Sequence, residues 1–207
     1  MKEKEILRIE GPFGSFFLRE ESDKPLVFLA SGTGFAPIKA LLEHMQAQSI
    51  TRPVTVYWGG RRPADLYMNA WLESQQAVMP QLRYVPVVSD AQPEDGWSGR
   101  TGFVHHAVLA DLPNLSGYQV YACGAPIVVD SARKDFCAQA GLPEEEFFAD
   151  AFTSEADKAA DSGEASEDAA SADSDDEKKL ARVERAETKK ENRAHGNDRL
   201  RYDNDME

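Results

Sequence analysis

Short apolar runs alternate with longer amphipathic stretches over the first 153 of the 207 residues. Continuous apolar runs are typical of strands that are buried on both faces of a sheet, and amphipathic stretches are typical of helices. The pattern predicts five strands, at residues 26–31, 54–59, 82–89, 119–123 and 146–152. It predicts four helices between them, at residues 38–48, 64–78, 103–112 and 127–140. This alternation favours a three-layer α/β fold with an open, five-stranded parallel sheet.

The two ends of the chain differ from this central region, residues 25–153. Residues 6–18 have the pattern of two strand pieces around a Gly-Pro turn, and residues 20–24 are a polar linker. Residues 154–207 contain almost no apolar clusters, and Tyr202 is their one aromatic residue. Such a composition cannot bury enough apolar surface to fold alone, so these residues are predicted to be a charged, disordered tail.

Charge and cysteine content exclude several classes of protein. The net charge is −13, and the first 153 residues hold 19 acidic and 13 basic side chains, which argues against a nucleic-acid partner. Two cysteines are too few for a four-cysteine iron–sulfur cluster, and they favour a reducing, cytoplasmic setting over a disulfide scaffold. No apolar run is long enough for a membrane span, and the first residues lack the apolar core of a signal peptide.

Histidine spacing gives no sign of a metal site. No metal-ligand spacing with cysteines or acids is found for His44, His105, His106 and His195. The adjacent pair begins a predicted helix, on which neighbouring side chains face different ways. No metal is therefore predicted.

The turn after the first predicted strand is the most informative motif. Residues 32–37 read GTGFAP, in which Gly32 and Gly34 can adopt a positive φ and let a phosphate approach the main chain. Pro37 suits the first position of a helix, whose N-terminal N–H groups favour an anion. The motif indicates nucleotide binding, although a glycine turn that only joins two elements has the same pattern. Thr33 faces the ligand in the first interpretation and caps the helix in the second.

Further candidates follow other predicted strands. Arg61 and Arg62 are cations suited to an adenosine ribose or phosphate, and Tyr67 is an aromatic suited to stacking on adenine. A solvated arginine pair and an ordinary boundary tyrosine are the alternative. In one interpretation, Cys123 and Gly124 place a thiol beside a ligand. In the other, Cys123 is only a small buried residue.

Asp150 stands among three phenylalanines in the last predicted strand, so its carboxylate faces solvent or needs a partner. The carboxyl ends of parallel strands meet at one edge of the sheet, where ligands of such folds bind. The strand-end candidates Thr33, Arg61, Cys123 and Asp150 are therefore predicted to share one site.

The motifs GTGFAP, YWGGRRPADLY, SGRTGFV, CGAP and FFADAF occur in this order. Over residues 10–152 the chain resembles the pyridine-nucleotide-binding domain of the ferredoxin–NADP reductase-like superfamily. It is most similar to the CDP-6-deoxy-delta-3,4-glucoseen reductase group and bacterial oxygenase reductase components, with NAD(P)H-flavin reductases next. The resemblance implies an NAD(P)H-dependent, flavin-linked oxidoreductase. Such an enzyme passes hydride to FAD, and electrons continue to an iron–sulfur or other acceptor.

The resemblance also implies cofactor-binding roles. The phosphates on the nicotinamide side are expected to contact Gly32, Thr33, Gly34 and Pro37. The adenosine half is expected to contact Arg61 and Tyr67, with Arg62 as a further candidate.

The residues implied to act on the reacting rings are Thr33, Cys123 and Asp150. Thr33 and the pair formed by Cys123 and Gly124 are expected beside the nicotinamide, where the thiol helps to orient hydride donation to the flavin. Phe152 corresponds to the terminal aromatic that covers the isoalloxazine, and Asp150 to an acid near it.

Members of the superfamily hold FAD on a separate N-terminal barrel. Residues 1–24 match only the last strands and linker of that barrel, and its Arg-x-Tyr-Ser/Thr motif is not found. We therefore expect a flavin-domain partner, as in a split flavin reductase, and an electron-acceptor protein. A catalytically silent nucleotide-binding or interaction module is the alternative. The choice between NADH and NADPH, the acceptor and the role of the tail stay open.

Overall fold

Six segments of the chain form strands of one parallel sheet. The computed structural model describes residues 6, 8, 10 and 14–152. Its strands are β1 (Leu26–Ser31), β2 (Val54–Gly60), β3 (Leu82–Val88), β4 (Arg100–Thr101), β5 (Gln119–Gly124) and β6 (Phe147–Ala151). The five predicted strands are confirmed. The prediction of five strands in total was wrong by one, because β4 has only two residues and no apolar run marks it.

The order of the strands places a crossover at the centre of the sheet. The order is β4-β3-β2-β1-β5-β6, and all neighbours are parallel. The chain builds outward from β1 to β4 and then returns to place β5 on the other side of β1. The carboxyl ends of β1 and β5 therefore form the topological switch point, where open α/β sheets bind their ligands.

Four α-helices connect the strands: α1 (Phe35–Ala47), α2 (Asn69–Val78), α3 (Val104–Asp111) and α4 (Pro126–Ala140). Short 3₁₀ turns occur at Gly32–Gly34, Pro63–Asp65, Pro93–Asp95 and Glu144–Glu146. Within the described residues no helix has the length and apolar character needed to cross a membrane.

Two predicted helix starts were wrong. The 3₁₀ turn Gly32–Gly34 runs directly into α1, so Pro37 is the third helical residue and not the first. Its missing N–H costs nothing there either, because the first four N–H groups of a helix have no intrahelical partner. The α2 helix begins at Asn69, because the carboxylate of Asp65 accepts hydrogen bonds from the backbone N–H groups of Arg61 (2.9 Å) and Arg62 (2.8 Å) and closes a separate turn.

Alternate side chains of the strands face two different helix layers. In β1, Leu26 and Phe28 pack with α1 and α2, whereas Val27 and Leu29 pack with α3 and α4. Both core clusters consist of nearly inaccessible aliphatic and aromatic side chains. The predicted three-layer arrangement is therefore confirmed. The predicted tail, residues 154–207, lies outside the described residues.

The segment before β1 is fastened to the sheet by a buried arginine. Arg52, which is 7% exposed, donates hydrogen bonds to the backbone carbonyls of Arg19 (2.8 Å) and Lys24 (2.9 and 2.6 Å) and to Oε1 of Gln119 (2.8 Å). The N–H of Arg19 donates to the hydroxyl of Tyr121 on β5 (2.9 Å). No strand is found in residues 14–18, so the predicted strand piece is wrong there. The remainder of that prediction lies largely outside the described residues.

Replacing Arg52 by alanine is expected to lower the free energy of unfolding by about 2–4 kcal/mol, because several partly buried acceptors lose their donor at once. Denaturant unfolding measures this change. The matched control is Arg83→Ala, which removes an arginine whose side chain is 62% exposed and whose pair with Asp111 is 3.5 Å long. That control should cost less than about 1 kcal/mol. Equal losses in the two variants would contradict the role given to Arg52.

Candidate functional site

Two glycine-containing turns meet where β1 and β5 end side by side. A Cβ atom on Gly34 would lie 2.2 Å from the carbonyl oxygen of Cys123. One on Gly124 would lie 2.1 Å from Oγ of Ser31. That hydroxyl also accepts a hydrogen bond from the N–H of Ala125 (3.1 Å). The turn after β1 and the turn after β5 are thus joined into one packed unit that admits no side chain at either glycine.

The glycines of the first turn have different functions. Gly32 has a positive φ of 50°, as predicted, and nothing lies within 4 Å of the position of its missing Cβ. Gly34 has a φ of −58°, so it does not use the positive φ that a glycine can adopt. Its lack of a side chain matters because of the contact with Cys123. The turn is therefore closed at Gly34 and open to solvent above Gly32.

Two helix N-termini point at this edge of the sheet. Both α1, at Phe35, and α4, at Pro126, begin directly after these turns, and neither carries an acidic side chain in its first turn. The positive ends of the two helix dipoles favour an anion at this edge. Thr33 is exposed beside them, and the N-cap residue of α1 is Gly34, so Thr33 does not have the capping role that was its alternative.

An aromatic cluster holds the first turn in place. The indole N–H of Trp58 donates a hydrogen bond to the carbonyl oxygen of Gly32 (3.1 Å). Phe35 stacks on Trp58 with ring centroids 4.1 Å apart, and Tyr67 meets Trp58 edge-on at 5.1 Å. Tyr67 itself is 53% exposed, which leaves a free ring surface at the end of β2. Trp58 and Phe35 were not predicted as site residues, because an aromatic side chain in the sequence is equally typical of the core.

The two predicted arginines have different surroundings. Arg62 makes a bidentate contact with Asp95 (2.9 and 2.7 Å), and Glu94 lies 3.4 Å from it. This contact lowers the pKa of the Asp95 carboxyl, chiefly through the hydrogen bond from Arg62. The guanidinium of Arg61 lies 4.0 Å from a carboxylate oxygen of Asp90. Arg62, whose side chain is 39% exposed, is thus held by two acids.

Cys123 lies inside the site as a neutral thiol. It is fully buried at the end of β5 and is paired in register with Asp150 of β6. Burial, with a contribution from the Asp150 charge, raises the pKa of the Cys123 thiol to about 12. A thiol with so high a pKa is not a nucleophile at neutral pH.

The structure brings most of the predicted site residues together. Thr33 and its flanking glycines adjoin Cys123 and Gly124, and the N–H of Phe152 donates to the carbonyl oxygen of Gly124 (3.0 Å). The Phe152 side chain is 41% exposed, and Asp150 is partly buried. The remaining predicted residues lie at the end of β2 and in the turn after it: Arg61, Arg62 and Tyr67. Pro37 lies in the first turn of α1.

Comparison with known proteins identifies related sequences. Residues 28–134, just over half of the chain, match the family described as "Oxidoreductase NAD-binding domain". The chain is 44% identical over 156 residues to protein RfbI of Salmonella typhimurium, covering 74% of this chain and 45% of that protein. It is 46% identical over 153 residues to the CDP-6-deoxy-L-threo-D-glycero-4-hexulose-3-dehydrase reductase of Yersinia pestis, covering 73% and 45%. The chain thus spans slightly less than half the length of these two relatives.

A shorter relative and two solved structures are also similar to this chain. The NAD(P)H-flavin reductase of Aliivibrio fischeri is 37% identical over 144 residues, covering 70% of this chain and 60% of that protein. Amycolatopsis cytochrome P450 reductase GcoB has a TM-score of 0.62 at 30% identity, covering 70% of this chain and 43% of that one. The ferredoxin reductase in carbazole 1,9a-dioxygenase has a TM-score of 0.60 at 25% identity, covering 69% and 42%.

Replacing Gly34 by alanine tests how the two turns pack. The new methyl group collides with the backbone at Cys123, so we expect the free energy of unfolding to fall by about 1–3 kcal/mol, as in other overpacked sites. The matched control is Gly117→Ala, because nothing lies within 4 Å of a Cβ at Gly117. Denaturant unfolding of both variants makes the comparison. Equal stability of the two variants would show that the turns are not in close contact.

Proposed function

The chain belongs to the oxidoreductase NAD-binding domain family, and we propose that it binds NAD(P)H and presents the nicotinamide to a flavin. The observation that carries this proposal is the junction of the turns after β1 and β5. It combines an open main chain at Gly32, the N-termini of α1 and α4 and a buried neutral thiol at the switch point of the sheet.

The junction fits a dinucleotide pyrophosphate. The space above Gly32 admits the phosphates to the main chain, and the two helix N-termini supply N–H donors and positive dipole ends. Thr33 is exposed at the same place and offers a hydroxyl. The ring of Tyr67, half exposed at the end of β2, offers a stacking surface for the adenosine half.

Residues at the ends of β5 and β6 suit the nicotinamide half. When bound, the nicotinamide supplies a hydride, and a flavin is the group that receives it. The buried, neutral thiol of Cys123 lies behind the turn that would meet the ring, and it does not compete as a nucleophile. Asp150 lies beside Cys123 in register, and Phe152 adjoins the same turn through its N–H. These residues orient the donor, whereas the chemistry belongs to the cofactors.

The flavin itself is proposed to come from a partner domain. Among the described residues, those that suit a flavin are few, mainly the exposed ring of Phe152 and the carboxylate of Asp150. Relatives at 36–46% identity include proteins named as a CDP-6-deoxy-L-threo-D-glycero-4-hexulose-3-dehydrase reductase, an NAD(P)H-flavin reductase and a reductase component of terephthalate 1,2-dioxygenase. We propose the same reaction type here: electrons pass through a flavin to an iron–sulfur or other acceptor on another domain or protein.

Binding of NADH to the full chain tests the proposal. We expect calorimetry to show one NADH per chain. Alkylation of the buried Cys123 thiol requires the junction to open, so we expect bound NADH, which stabilises the closed junction, to slow that alkylation. Cys137 is the internal control, because it lies in α4 and packs in the core cluster on the other face of the sheet. Its alkylation should not change. An absence of binding and of protection at millimolar NADH would overturn the assignment.

The acids around Arg62 favour NADH over NADPH. A 2′-phosphate needs an available cation at the end of the second strand, but Arg62 is held by Asp95 and Glu94. The double variant Glu94→Gln/Asp95→Asn removes two negative charges and should tighten NADPH binding relative to NADH by about fivefold or more, since such charge contacts contribute roughly 1 kcal/mol.

The control for this charge change is Glu43→Gln/Glu145→Gln. Glu43 lies in the second half of α1 and Glu145 precedes β6, so both are distant from the carboxyl edge of the sheet. Dissociation constants for both dinucleotides, measured at one ionic strength, should keep the wild-type ratio in this control. An unchanged ratio in the Glu94/Asp95 variant would contradict the explanation, even if NADH binding itself is intact.

A further inference from the structure

A buried histidine on α3 lacks hydrogen-bond partners. His105 is 2% exposed, and neither ring nitrogen has a hydrogen-bond partner among the described residues. Native structures rarely leave a buried nitrogen without a partner unless there is a reason such as a bound ion.

The nearest polar groups come from two helices. Nε2 of His105 lies 3.6 Å from a carboxylate oxygen of Asp135 on α4, which is too long for a hydrogen bond. The ring of His106 is centred 4.2 Å from that of His105, with the ring planes at 59°. One ligand atom from each of the three side chains lies within 4.8 Å of the others.

We propose that His105, His106 and Asp135 form a binding site for a divalent transition-metal ion, with zinc as the best match. Two imidazoles and one carboxylate are a ligand set that zinc accepts, and its bonds of about 2.0–2.2 Å place neighbouring ligands roughly 3.3–3.6 Å apart. The observed separation of 3.6 Å between His105 and Asp135 is at the upper end of this range. The His106 ligand atom, which lies within 4.8 Å of the other two, would move by about 1 Å to complete the set, and water would take the fourth position.

The site has an access route and a structural consequence. The side chain of Asp135 is 21% exposed and His106 is partly exposed, so an ion enters from solvent while His105 anchors it from the core. The ion would link α3 to α4. None of its ligands belongs to the proposed dinucleotide site, so metal binding and NADH binding are separate properties.

The spacing of residues along the sequence predicts no metal site, because it contains no information on how α3 and α4 pack together. The two histidines are adjacent, whereas Asp135 is on another helix and reaches them only through the packing of α3 against α4. The structure thus gives a reason to reconsider the prediction that no metal binds, which no observation has tested.

Zinc titration of the full chain, first stripped with a chelator, tests the proposal. We expect calorimetry to show one tight zinc ion per chain, and Co²⁺ in its place to give the visible absorption of a tetrahedral site. Zinc at about 100 times its dissociation constant should stabilise the fold by about 2.7 kcal/mol. NADH affinity should be the same with and without zinc, which separates this test from that of the dinucleotide site.

Variants at the outer ligands locate the ion. His106→Ala and Asp135→Asn should each weaken zinc binding by about tenfold or more and abolish the Co²⁺ spectrum. The controls His44→Ala, on α1, and His195→Ala, in residues 154–207, should bind zinc as the wild type does. His105 is left intact, because it lies in the core. Absence of a tight ion in the wild type, or equal binding in all four variants, would overturn the proposal.

Discussion

The close approach of the turns after β1 and β5 is the contact on which the proposed site depends. It is possible because Gly34 and Gly124 have no side chains, so that the backbone at Cys123 and the hydroxyl of Ser31 occupy the space instead. The contact fixes the N-termini of α1 and α4 at one edge and keeps the Cys123 thiol buried. The proposed phosphate and nicotinamide positions therefore lie side by side.

Other interactions support this junction from both sides of the central strands. Trp58 binds the carbonyl of Gly32 from β2, and Phe35 and Tyr67 pack around its ring. Arg52 fastens the segment before β1 at the opposite edge of the sheet. The acids that hold Arg62 lower the positive charge at the end of β2. The N-termini of α1 and α4, with their positive dipole ends, are thus separate from the more acidic part around Arg62.

Sequence patterns predict those features that depend on local composition. Continuous apolar runs located the five long strands, and their carboxyl ends located most of the proposed site. The strand β4 was not predicted, because a strand of two residues carries no periodic signal. The packing role of Gly34 was also not predicted. It depends on the contact with Cys123, which only the folded chain brings close to Gly34. The contacts of Arg62 with Asp95 and of His105 with Asp135 are likewise tertiary, and no local pattern encodes them.

A crystal structure of the full chain with NAD⁺ would locate both halves of the dinucleotide at once. We expect the pyrophosphate over Gly32 at the N-terminus of α1, with the nicotinamide ring against the turn formed by Cys123 and Gly124. A dinucleotide bound elsewhere, or one whose nicotinamide lies away from the end of β5, would contradict this expectation.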